Sequence, residues 1–225
     1  MRTLLYVPMI HRMDETLLGA ESYQDEEQAE LGESLLDVYW NLILKVLTRR
    51  IQELGLQSKG GLDLDVFCES WTYPEQIAFL TRHAMAMEEM VPSVHALSGM
   101  LAKVGARLRV TENMIVHWLE GVAYKLQFSR ERPPFGKTLM EWRDLSIVGN
   151  LNRQVKEGGT AVLFLGAGHD VPAFLDQDWR VEVLTAAEIA IFIRHIDATP
   201  KVWTDLYTKQ SDRHRITSGE LDEVI

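Results

Sequence analysis

Two short apolar runs constrain this chain most: Thr3-Leu4-Leu5-Tyr6-Val7-Pro8-Met9-Ile10 near the amino terminus and Ala161-Val162-Leu163-Phe164-Leu165 in its last third. Both have the length of a strand and lack polar alternation, the pattern of strands buried on two faces. A third run, Leu62 to Phe67, and the segments Arg107 to Thr111 and Val181 to Leu184 read as further strands. Between them fall stretches with helical spacing: Leu35–Leu54 with Gly55 as its stop, a helix opened by Pro74 and broken by Pro92, Ser93–Val104, Asn113–Phe128, Leu139–Val155 and Ala186–Ile196. Strands alternating with helices predict an α/β fold, a mainly parallel central sheet with helices on both faces and helical insertions. We read residues 1–199 as a single domain and residues 200–225 as a polar carboxy-terminal tail. Arg130-Glu131-Arg132-Pro133-Pro134-Phe135-Gly136 is the clearest loop signal.

Composition narrows the function classes. A formal net charge of −10 argues against a nucleic-acid-binding surface, which needs clustered Lys and Arg. Cys68 is the single cysteine, so no intrachain disulfide and no cysteine-based zinc cluster can form, and a reducing, cytoplasmic setting is expected. The first apolar run stops at His11-Arg12 without a small-residue cleavage site and is taken as a strand rather than a signal peptide. No uninterrupted apolar stretch is long enough for a membrane span. The apolar face of the Leu35–Leu54 helix would suit a homodimer as well as a sheet.

Chemistry-bearing residues gather at predicted strand ends. His11 and His169 close the two longest apolar strands in matching frames, Pro8-Met9-Ile10-His11 and Gly166-Ala167-Gly168-His169, and Glu69 closes a third. In open α/β sheets the carboxyl ends of strands are where loops diverge and ligands bind. Two imidazoles and a carboxylate there suit a divalent metal such as zinc, manganese or cobalt, or general acid/base work. Each also has a plainer reading, as a polar strand end or a helix cap. Glu112, after Val110-Thr111, is a weaker candidate of the same type. Asp170 is placed to orient His169 or to cap the next helix. Arg143 could clamp developing negative charge, or simply pair at the surface with Glu141 or Asp144. His83, His95, His117, His195 and His214 read as structural or solvated. Met85, Met87, Met90 and Met100 read as core or as the lining of an adaptable pocket.

The strand-end His11 and Glu69, the helix bearing Trp142-Arg143-Asp144 and the Leu165-Gly166-Ala167-Gly168-His169 turn together resemble the TraB/Tiki and ChaN/erythromycin-esterase-like superfamily. That resemblance, from the first strand to the Val181 strand, implies a centre formed by His11, Glu69 and His169 with Arg143 beside it. Pro8 stands where the family's first motif has glycine, and Asp144 where the TraB-type helix has asparagine. The resemblance implies a metal-assisted or acid/base hydrolase acting on a small molecule or peptide. In that reading Glu69 activates water or ligates a metal, and Arg143 stabilises negative charge. A non-catalytic carrier of a small ligand, haem or peptide in the same crevice is the alternative. A third reading takes Gly166-Ala167-Gly168 as a nucleotide-binding turn, without the third glycine of that motif.

Overall fold

The computed structural model describes residues 1–9, 40, 42–82, 94–126, 134–166 and 169–184. Among the described residues five parallel strands form the main sheet, in the edge-to-edge order Arg107–Leu108, Asp65–Cys68, Thr160–Gly166, Arg2–Met9 and Trp179–Val183, so the α/β expectation holds. They are β1 (Arg2–Met9), β4 (Asp65–Cys68), β5 (Arg107–Leu108), β6 (Thr160–Gly166) and β7 (Trp179–Val183). A small antiparallel ribbon, β2 (Gln57–Ser58) with β3 (Gly61–Leu62), lies in the link between the helix at residues 42–53 and β4. The two runs singled out in the sequence pair with each other in the middle of the sheet, from Thr3↔Thr160 to Met9↔Gly166. The burial of every residue from Leu4 to Met9 and from Ala161 to Leu165 accounts for the missing polar alternation.

Alternate residues of the strands feed two cores. Leu5, Val7 and Met9 of β1 pack on one face with Ile43, Leu47 and Ile51 of the helix at residues 42–53. Leu4 and Tyr6 pack on the other with Ile147, Leu151 and Val155 from the Pro134–Gln154 helix and its end. Helices thus cover both faces. The Pro134–Gln154 helix begins five residues before its expected start and takes in part of the expected loop, because a proline in the first turn costs no hydrogen bond. The other described helices, Pro74–Arg82, Val94–Lys103 and Met114–Leu126, match the segments read from the sequence.

β5 is shorter than the alternating Arg107–Thr111 segment predicts. Its partner β4 ends at Cys68, and Ser70 then takes a left-handed φ of +67°, which turns the chain out of the ladder. Past β5 the backbone follows that turn: the Thr111 and Glu112 N–H groups both donate to the Trp71 carbonyl. Pro8 costs little in β1. The Tyr6 carbonyl accepts from Leu184 on the β7 side, so two residues on, Pro8 turns its missing donor to that side, past the last β1–β7 pair, and the β1–β6 register continues unbroken.

Strand order sets where a crevice opens. From β4 the chain moves outward to β5, and from β6 it moves the opposite way to β7, yet β4 and β6 are neighbours. Their carboxyl ends therefore flank a topological switch point, where the following connections part. Among the described residues no helix is long and apolar enough to cross a membrane. His11, the Ala186–Ile196 helix, the 200–225 tail, His83, His195, His214 and Met85, Met87 and Met90 lie outside the described residues.

Candidate acid/base site at the switch point

Glu69 follows the last residue of β4, and its carboxylate Oε2 accepts a 2.8 Å hydrogen bond from the Gly166 N–H at the end of β6. One carboxylate thus joins the two strand ends that flank the switch point. Its other oxygen, Oε1, accepts from Arg143 Nη2 at 2.9 Å and stands 3.8 Å from His169 Nε2. The far side of the imidazole is held as well: His169 Nδ1 and Asp144 Oδ1 are 2.5 Å apart, and Asp144 Oδ2 accepts from the Asp170 N–H at 3.0 Å.

Arg143 and Asp144 reach the site because they fall in the buried phase of their helix. Leu139, Arg143, Ile147 and Leu151 recur at four-residue spacing and all face inward. Arg143 is 5% exposed and Asp144 3%, so surface pairing, either with each other or with Glu141, is not what holds them. The Arg143 guanidinium donates to Glu112 through Nε at 2.6 Å and Nη2 at 2.9 Å, and through Nη2 also to Glu69. A buried cation is tolerable only with such partners.

Glu112 is the residue whose weight the sequence understates. It is 1% exposed, accepts the Ser70 N–H at 2.7 Å, and lies 3.2 Å from His117 Nδ1. Thr111 beside it accepts the Cys68 N–H through its hydroxyl and the Asn150 side-chain N–H through its carbonyl. The result is a chain of alternating charge, Asp144, His169, Glu69, Arg143 and Glu112, along the carboxyl edge of the sheet, with His117 beside its last member. Asp170 stands at the N-cap position of the short Val171–Phe174 turn and makes no side-chain capping bond there, while Asp144, 25 residues upstream of the histidine, holds its Nδ1.

Protonation follows from these contacts. Burial pulls the His169 pKa down, but the hydrogen bond to Asp144 and the nearby Glu69 carboxylate outweigh it and raise it to about 9. Burial pushes Glu112 up, yet His117, Arg143 and the Ser70 N–H more than reverse this and bring it to about 2. At neutral pH the site thus holds an imidazolium in contact with carboxylates. This arrangement suits proton donation from His169 Nε2 and proton acceptance at Glu69.

The donor set for a metal is incomplete among the described residues, where no group of three His, Cys, Asp or Glu is arranged to hold an ion. Glu69 and His169 supply two donors, and Arg143 donates to Oε1, the Glu69 oxygen that stands nearest His169 Nε2. The nucleotide-turn reading gains no support either. Ala167 and Gly168 of that turn lie outside the described residues; the Gly166 N–H is occupied by Glu69, and the Val171–Phe174 3₁₀ turn further on is too short for a helix dipole to hold phosphate.

Comparison of the chain with protein-family models, with curated proteins and with solved structures returned no match.

Proposed function

We propose that this chain is a hydrolase in which Glu69 and His169 share the acid/base work on a carbonyl-centred bond of a small molecule or peptide. The observation that carries the reading is the placement of His169 Nε2 3.8 Å from Glu69 Oε1 at the switch point, with Asp144 fixing the opposite ring nitrogen. Glu69 takes a proton from water as the water oxygen bonds to the carbonyl carbon. His169 gives its Nε2 proton to the leaving group as the carbon–heteroatom bond breaks, so acid and alcohol, or acid and amine, are released. Arg143 is a positioning residue in this scheme, because its contacts with Glu69 and Glu112 fix where the Glu69 carboxylate stands. The resemblance to the TraB/Tiki and ChaN/erythromycin-esterase-like group supports the same residues, and a cytoplasmic setting and a homodimer belong to the same proposal.

The test is turnover of a panel of 4-nitrophenyl esters and fluorogenic peptides by the purified chain, with elemental analysis of the same sample. Glu69→Gln and His169→Asn are expected to lower kcat/KM by about 10²–10⁴-fold, the usual contribution of a positioned acid or base, while Asp170→Asn stays near the parent. Full activity in Glu69→Gln would end this reading. Stoichiometric zinc, manganese or cobalt lost in His11→Ala would favour the metal-assisted form, with His11 completing a ligand set. An absorption band from bound haem without turnover would favour the carrier alternative.

A further inference from the structure

Thr111 and Glu112 hold the turn that carries Glu69 from both sides of that residue. The Cys68 N–H donates to the Thr111 hydroxyl at 2.8 Å, and the Ser70 N–H donates to Glu112 Oε1 at 2.7 Å. The Trp71 carbonyl accepts from the Thr111 and Glu112 N–H groups at 2.8 and 3.1 Å. Ser70, inside this clasp, has its φ of +67°, a conformation that a residue with a side chain keeps only where its surroundings fix it. The backbone that aims Glu69 is therefore set by residues that lie beyond β5 in the chain.

The same Glu112 carboxylate reaches the Glu69 side chain through Arg143. Arg143 donates to Glu112 through Nε at 2.6 Å and Nη2 at 2.9 Å, and Nη2 also donates to Glu69 Oε1 at 2.9 Å. Two bonds to one carboxylate fix the plane of a guanidinium, so Glu112 sets the direction in which Arg143 meets Glu69. Glu112 is 1% exposed, and its described polar neighbours are Arg143, the Ser70 N–H and His117. Buried among these, it acts on the site through the groups it holds and not through contact with a substrate.

We propose that Glu112 is a positioning residue of the Glu69 site: it fixes the Glu69 backbone through the Ser70 turn and the Glu69 carboxylate through Arg143. The role in turnover rests on the hydrolase reading of Glu69, whereas the placement of the carboxylate does not. The two arms separate by substitution. Glu112→Gln keeps the length of the side chain and an acceptor for the Ser70 N–H, and it removes the charge that holds Arg143. The Gly166 N–H then reports the result, because it donates to Glu69 Oε2 at 2.8 Å and not to Glu112.

The experiment measures amide hydrogen exchange at Ser70 and Gly166 in the ¹⁵N-labelled full chain, and kcat and KM for the 4-nitrophenyl ester panel on the same samples. In Glu112→Gln we expect Ser70 to stay protected while Gly166 exchanges at least about tenfold faster, as Glu69 leaves it. We expect kcat to fall by about 10–100-fold with KM within about twofold, the loss that a displaced base causes in the transition state alone. Glu112→Gln/Arg143→Met leaves neither member of that pair as an unpaired buried charge, so it keeps the fold available for testing should the single variant not fold. Gly166 is expected to exchange faster there too. Gly166 protection equal to the parent's in a folded variant overturns the proposal, as does a raised KM with kcat intact. Faster exchange at Gly166 with no turnover by the parent supports the placement and counts against the hydrolase reading. Turnover that is lost in Glu69→Gln but unchanged in Glu112→Gln keeps that reading and overturns the role of Glu112.

Discussion

At the residue scale, the buried ionic chain makes stability depend on pH in both directions. His169 has its pKa raised from 6.5 to about 9, so its protonated form favours the folded state. Its contribution is complete below pH 6.5 and is lost as pH rises through about 9. Glu112 has its pKa lowered from 4.5 to about 2, so its contribution is complete above pH 4.5 and is lost as pH falls through about 2. Urea midpoints measured between pH 6 and 9.5 are expected to fall in the parent relative to His169→Gln, in which that titration is absent. A difference between the two that stays constant across this window would contradict the ion contacts of His169. Strand-end positions made His169 and Glu69 legible in the sequence. The weight of Glu112 and Asp144 was not legible, because Glu112 follows a short edge strand and Asp144 sits beside an arginine that looked like its natural partner. One signal was available: Arg143 falls in phase with Leu139, Ile147 and Leu151, a place where an unpaired charge cannot stay.

At the scale of elements, turns decide where strands end and hence where side chains converge. Gly105 has φ +99° and sits where an added Cβ would lie 3.0 Å from both the Gly61 Cα and the Leu62 backbone nitrogen. It thereby lets the end of the Val94–Lys103 helix close on the ribbon before β4, where the Leu62 N–H donates to the Val104 carbonyl. Gly158 has φ +74° with nothing within 4 Å of its would-be Cβ. Gly158→Ala is therefore expected to cost only the left-handed backbone penalty, about 1–2 kcal/mol. Gly105→Ala adds a clash with backbone that cannot swing aside, and its urea midpoint is expected to fall clearly further. Equal losses in the two variants would show that the close approach to Gly61 is not tight. The helix boundaries were readable from glycine stops and apolar spacing. The early start at Pro134 was missed because a proline pair next to a glycine signals a loop just as it signals a helix beginning.

At the scale of the whole molecule, the sheet is secured from its centre outward. β6 lies between β4 and β1 and is almost wholly buried, whereas β5 pairs at only two positions on an edge. Arg107 and Arg109 tie that edge to the buried Asp65 carboxylate. Amide hydrogen exchange is expected to be slowest at Leu163 and Phe164 and at least tenfold faster at Leu108; equal protection would mean that the edge strand opens only with the whole fold. The α/β class was decided by sequence alone, because strand-length apolar runs without polar alternation, separated by helical segments, bury themselves best in a parallel sheet between two helical layers. The sequence likewise set the charge balance and the single thiol. Only the tertiary structure decided the strand order, the switch point and the ionic partners. Glu112 and Arg143 are 31 residues apart, and Glu69 and Arg143 are 74 apart. No local pattern carries information over such separations, and the pairs exist because the sheet order brings the ends of β4 and β6 together beneath the buried stripe of one helix.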